Sequence, residues 1–205
     1  MGECFYAIWM VVVSLGLLSV SDGSEGYVLG VILVAFMVNI TWGLIDGTSV
    51  MYTGIIDSAR LDKLVYDLRV RKDVLSRQAV RDAMSGSAVA RLSPDDQERV
   101  VDMLAAGEPG EDPRKRRYYA GRSDRAYAIG ILAIDFLLVF PLIIPLFMFD
   151  DVEQAAYASR LIATVAFMII GAAYARNLHR RPWLAALFLG SLGFSVFTLT
   201  YELGW

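Results

Sequence analysis

Apolar residues gather in five long runs, two before and three after one extended polar tract. The first run, residues 4–21, carries no charge and is just long enough to cross a bilayer as a helix. The leader before it, Met1-Gly2-Glu3, has no basic segment, so a retained anchor is expected in place of a cleavable signal peptide. The acidic, turn-rich link Asp22-Gly23-Ser24-Glu25-Gly26 folds the second run back against the first. That second run stays apolar over residues 26–56, with Asp46 as its single charge. Counting the helical rise from Tyr27 places Asp46 after about 30 Å, toward the far end of a span.

The polar tract, residues 58–125, has a helical rhythm of its own. Leu61, Leu64, Val65 and Leu68 recur at helical spacing beside Arg60, Lys63, Arg69, Arg71 and Lys72, which predicts an amphipathic helix continuing from the second span. Leu75, Ala79, Ala83 and Met84 extend or restart the pattern until Ser85-Gly86-Ser87 ends it. A further helix is predicted from Ser93-Pro94-Asp95-Asp96, with Ser93 as N-cap, Pro94 at the first helical position and acids in the first turn. Val100, Val101 and Leu104 form its apolar side, and Gly107 stops it. The linker Glu108-Pro109-Gly110-Glu111-Asp112-Pro113 then leads to the basic cluster Arg114-Lys115-Arg116-Arg117.

The third run, residues 126–149, holds Asp135 as its only charge, and Pro141 and Pro145 predict kinks. Asp150-Asp151-Val152-Glu153 makes an acidic turn. The fourth run, residues 161–175, is short, and Tyr157 and Arg160 lengthen it by sitting at the interface, where the long Arg160 side chain snorkels to the surface. After the basic turn Arg176-Asn177-Leu178-His179-Arg180-Arg181, residues 182–201 form the fifth run, and Glu202 and Trp205 end the chain at the opposite surface. Ala186, Gly190 and Gly193 on the fifth run permit close helix contact. The expected fold is therefore all-α and polytopic. Residues 1–57 carry the first two transmembrane helices, 58–125 a helical cytoplasmic insertion, and 126–205 the last three helices.

Composition agrees: 56% of the 205 residues are hydrophobic, and the mean hydropathy is +0.48. The formal net charge of −3 hides a segregation, because 15 of the 19 Lys and Arg residues fall within residues 58–125. Strongly basic connections follow the second and fourth spans and acidic ones follow the first and third, so the N-terminus is expected inside and the C-terminus outside. The basic cluster reads as a topology signal touching anionic lipid, with no nucleic-acid partner expected. A lone Cys4 allows no internal disulfide, and a lone His179, placed in a basic turn, gives little material for a histidine-based centre. No zinc pattern, nucleophile elbow or phosphate loop is present, so an enzyme is not expected.

The candidate chemistry lies in the two acids inside apolar runs. A charged acid at the centre of a spanning helix costs roughly 2.5–3.5 kcal/mol on insertion scales and marks a functional site by default. At about 3.6 residues per turn, Asn39, Gly43, Asp46, Val50, Thr53 or Gly54, and Asp57 share one side of the second helix. Gly43 and Gly47 flank the acid and leave room for a neighbouring helix, an ion or a backbone break. The competing reading is a helix-packing seam whose Asp is neutral or hydrogen-bonded. Asp135 lies roughly 9 residues into its span, about 14 Å, near mid-membrane. Two carboxylates in low dielectric would hold a proton or attract a cation, which suits proton-coupled cation movement.

With five spans, a helical insertion between the second and third, and Gly43-Leu44-Ile45-Asp46-Gly47 matching an intramembrane Gly-x-x-Asp-Gly, the chain resembles the vacuolar iron transporter family. Pro141-Leu142-Ile143-Ile144-Pro145-Leu146 and Leu199-Thr200-Tyr201-Glu202-Leu203-Gly204 are also similar to family segments. The resemblance implies a homodimer with a pore between subunits, exporting Fe(II) or a related divalent ion such as manganese from the cytoplasm against protons. Metal is then cargo, no resident cofactor is implied, and the expected setting is a prokaryotic cell membrane. By motif match Asp46 is the intramembrane acid and Met51 a soft thioether near the entrance, with Asp57 as a further metal contact. Asn39, Gly43, Gly47 and Asp135 complete the expected ion path. Two features depart from the family. The motif sits in the second span where the family has it in the first, and the insertion lacks the family's repeated Glu-x-x-Glu pairs. Asp95, Asp96, Glu98, Asp102 and Met103 do crowd one helix, but acids at a helix start are mostly cap and dipole chemistry. The alternative function is a non-transporting scaffold whose basic cytoplasmic helices bind a partner or anionic lipid.

Overall fold

The computed structural model describes residues 2–20 and 24–203. Asp22 and Gly23 of the expected acidic link, and Gly204 and Trp205 at the C-terminus, lie outside the described residues. The fold is 84% helix, and no strand occurs among the described residues. Eight α-helices follow in order: α1 (Gly2–Gly16), α2 (Glu25–Arg71), α3 (Val74–Met84), α4 (Pro94–Ala106), α5 (Arg122–Ile143), α6 (Pro145–Met148), α7 (Val152–Asn177) and α8 (Pro182–Glu202). Five stretches are long and apolar enough to cross a membrane: Glu3–Val20, Glu25–Arg71, Arg122–Met148, Val152–Asn177 and Pro182–Glu202.

Local chemistry explains the breaks. The second apolar run and the amphipathic pattern after it form one continuous 47-residue helix, α2. It stops where Lys72 turns left-handed at φ 52°. That conformation costs a non-glycine residue roughly 1–2 kcal/mol. It is followed at once by Asp73, whose side chain accepts from Ser76 N at 2.7 Å and caps α3. Ser93 caps α4 in the same way, accepting from Asp96 N, with Pro94 in the first turn. Pro141 lies inside α5 without ending it. The helix is interrupted instead at Ile144, because Pro145 has no N–H to continue the ladder, and the short α6 begins there.

The chain divides into two compact units, one comprising Met1–Thr48 with Ala126–Trp205, the other Ser49–Arg125. In the first unit the apolar helices alternate in direction. Gly43 of α2 abuts Leu132 and Asp135 of α5 while Gly47 abuts Ala128, so these two helices are antiparallel. Gly171 of α7 meets Ala185 of α8 and Gly193 meets Phe167, again antiparallel. A Cβ at Gly171 would lie 2.7 Å from the Ala185 carbonyl oxygen, so only glycine permits this approach. Phe5 and Trp9 of α1 reach Phe167 and Phe197, closing an aromatic cluster between α1, α7 and α8. The core continues through Val31, Ile32 and Ala35 of α2 and Val139 and Leu142 of α5.

The outward side chains of these helices are apolar too. Leu33 is 56% exposed, Met37 63%, Ile129 69% and Phe188 68%. Water solvates such a surface poorly and lipid hydrocarbon solvates it well, so the unit has the surface of an integral membrane protein.

The second unit has its own small core of Leu68, Val80 and Val101, flanked by Leu64, Met84, Leu104 and Ala105. Arg69 ties α2 to the end of α4, donating from Nε to Leu104 O at 2.9 Å and from Nη1 to Glu108 O at 3.2 Å. It thereby satisfies carbonyls that the helix end leaves over.

Candidate functional site

Four small or polar residues one turn apart, Ala35, Asn39, Gly43 and Gly47, make a buried stripe on α2. Opposite Gly43 and Gly47, α5 presents Ala128, Leu132 and Asp135. Because Gly43 lacks a Cβ, the Asp135 carboxylate packs directly on the α2 backbone: a Cβ there would meet Asp135 Oδ2 at 3.0 Å and Leu132 Cα at 3.1 Å. At Gly47 it would meet the Ala128 carbonyl oxygen at 3.1 Å. The glycines therefore serve close helix approach and bring an acid into the seam.

The seam is unusual for its bare acceptors. Asp135 is 3% exposed, and its Oδ1 accepts no hydrogen bond from the described residues. Asn39 is fully buried; its Nδ2 donates to Ala35 O at 3.0 Å, while its Oδ1 is also unpaired. Buried polar atoms are nearly always paired, so two unpaired oxygens on facing helices call for a ligand-bearing explanation. Asp46 and Glu3 both add negative potential at Asp135. A cavity of about 190 Å³ lined by Glu3, Cys4, Ala126, Tyr127, Gly130, Ile131 and Ile134 approaches the seam from the start of α5.

The expected site residues therefore separate. Asn39, Gly43, Gly47 and Asp135 share the seam. Asp46 is half-buried at its edge, because on this helix the partner takes the four-residue spacing through Gly47 in preference to the three-residue one through Asp46. Met51 is half-buried and Asp57 exposed. Asp46 and Asp57 are separated by roughly 16 Å of helix rise. Metal–oxygen bonds are about 2.0–2.6 Å long, so one chain does not hold a single ion with both. Among the described residues no group of three or more His, Cys, Asp or Glu is placed to hold a metal.

The crowded acids of α4 are occupied by protein. Arg77 pairs with Glu98 and, at 2.5 Å, with Asp102, and Arg81 pairs with Glu98 at 2.9 Å. Asp96 accepts from the Ser93 hydroxyl at 2.7 Å and pairs with Arg99. The hydrogen bond from Arg77 holds the Glu98 carboxyl below its ordinary value of 4.5, partly opposed by burial. In the return segment after α4, Arg116 and the Tyr118 hydroxyl both donate to Asp62 Oδ2, at 2.9 and 3.1 Å. Burial first, then that bond, pushes the Tyr118 phenol above its ordinary 10.0.

One residue stands differently from its expectation. Arg160 does not snorkel to the surface; it is 8% exposed, held against the rings of Tyr201 and Tyr157. Tyr157, one turn earlier on α7, was visible as a neighbour in the sequence, whereas Tyr201 comes from a different helix and gave no local signal.

The geometry thus defines an all-helical protein with five helices of bilayer length and a buried acid–amide seam. Comparison of the chain with protein-family models, characterised proteins and solved structures finds no match.

Proposed function

We propose that the protein is a proton-coupled transporter that exports a divalent cation of the iron or manganese class from the cytoplasm, with the α2–α5 seam as its ion path. The observation that carries this reading is Asp135, an acid 3% exposed with an unpaired oxygen, opposite a glycine that admits it to the seam. In an N-in, C-out orientation, Asp46 and the cavity near Glu3 lie on the cytoplasmic side of that acid. A carboxylate binds a proton or a cation, and each occupant weakens binding of the other, which is the requirement for exchange. Asn39 Oδ1 supplies a neutral oxygen beside it. A divalent cargo would complete its shell with water or with donors from a second copy, since one chain gathers too few. The resemblance to vacuolar iron transporters favours that second copy.

The test is uptake into proteoliposomes of Fe(II), Mn(II), Co(II) and Zn(II), with and without a proton gradient. Gradient-dependent flux that falls in Asp46→Asn supports the reading. Absence of flux from folded protein contradicts it and favours the scaffold, a second reading supported by the separate core and ion-pair network of the unit Ser49–Arg125. A scaffold predicts that this segment keeps its lipid or partner binding when fused to unrelated spans.

A further inference from the structure

Arg160 takes no part in the proposed cation path, yet it is a charged group 8% exposed within the apolar helices. Its guanidinium carbon lies 4.3 Å from the centroid of Tyr201 and 5.5 Å from that of Tyr157. Aromatic faces attract the cation but satisfy its N–H donors poorly. Nε is buried with no acceptor, and among the described residues no carboxylate lies within ion-pair distance of the group. Asp151, Glu153 and Glu202 are felt electrostatically at Tyr201, but none of them pairs with Arg160. Arginine cannot relieve its burial by losing a proton. A buried cation with unused donors therefore needs an anion from elsewhere.

The space beside it defines the size of that anion. Val12, Leu15, Gly16 and Phe197 wall a cavity of about 10 Å³ that Arg160 and Tyr201 close. That is room for a single water-sized guest. Phosphate, sulfate and carboxylates are too large, whereas a monatomic anion fits. Its low charge density also suits walls that are apolar on every side except the guanidinium and the tyrosine.

The geometry points to a binding site for one halide-class anion, held by the Arg160 guanidinium among α1, α7 and α8. Bound anion neutralises the buried charge and ties three helices together, so it stabilises the folded protein in proportion to its occupancy.

The test is heat unfolding of the full-length protein, followed by circular dichroism in chloride, bromide or gluconate at matched ionic strength. The expected result is an unfolding temperature that rises and saturates with chloride and bromide but not with gluconate, with the dependence lost in Arg160→Gln. A second measurement locates bromide by its anomalous scattering in crystals of the wild-type protein, where a peak beside Arg160 is expected. Equal unfolding temperatures in all three salts would overturn the proposal, as would an unchanged halide dependence in folded Arg160→Gln. Should Arg160→Gln not fold, the bromide map decides: a cavity without a peak, filled by water alone, overturns it.

Discussion

A carboxylate enclosed between two helices is tolerated when its charge is balanced or removed, and Asp135 meets only the α2 backbone at Gly43 and the bare oxygen of Asn39 as near polar features of the seam. Gly43 is the residue that makes this arrangement possible. Gly43→Val would place side-chain carbon within about 3 Å of both the carboxylate and the Leu132 backbone. Overpacking of this kind costs roughly 1–3 kcal/mol. The expected outcome is a lower unfolding temperature together with loss of flux, and Gly43→Ala should fall between, as read by circular dichroism and vesicle uptake. Asp46 and Asp135 were legible in the sequence because each is the only charge in an apolar run. Which of Asp46 and Gly47 faces the partner was not, because spacings of three and four residues bracket a helical turn equally well. The packing of α5 decides between them. The enclosure of Arg160 was illegible for a related reason, since Tyr201 reaches it from a helix distant in sequence.

Helix boundaries were read more successfully, because caps and breakers act within a few residues. Ser93 and Pro94 start α4 as their chemistry requires, and the unbroken passage from the second apolar run into Leu61, Leu64 and Leu68 follows from helical spacing alone. The pairing of α3 with α4 through Arg77, Arg81 and Glu98 was not readable, since nothing local tells an acid which base it will meet. This pairing carries a pH dependence. Glu98 has a lowered folded value, so its contribution to stability is present above its ordinary 4.5 and is lost as pH falls through the folded value. The unit Ser49–Arg125 should therefore keep its heat stability from neutral pH down to about pH 5 and lose it progressively below. Glu98→Gln should flatten that acid limb and lower stability at neutral pH. An acid limb of the same steepness in the variant would assign the loss to other carboxylates.

In the molecule as a whole, five apolar helices and one polar insertion were evident from hydropathy, because each span is a local property of the chain. The choice of neighbours depends instead on small residues such as Gly43, Gly171 and Gly193, whose partners the sequence does not name. The alternating helix directions fit the charge pattern, with the basic connections at one end and the acidic ones at the other. On the proposed orientation, trypsin should cut at the exposed Arg114, Lys115 and Arg117 in inside-out vesicles and leave right-side-out vesicles intact. Cleavage from the outer side alone would invert the topology and with it the direction of export.

The most direct measurement is cation uptake by reconstituted Asp135→Asn beside the wild type, with and without a proton gradient, after circular dichroism and elution volume have established that the variant is folded. Transport through the seam predicts gradient-dependent uptake in the wild type and none in Asp135→Asn. Uptake at the wild-type rate in the folded variant would contradict it.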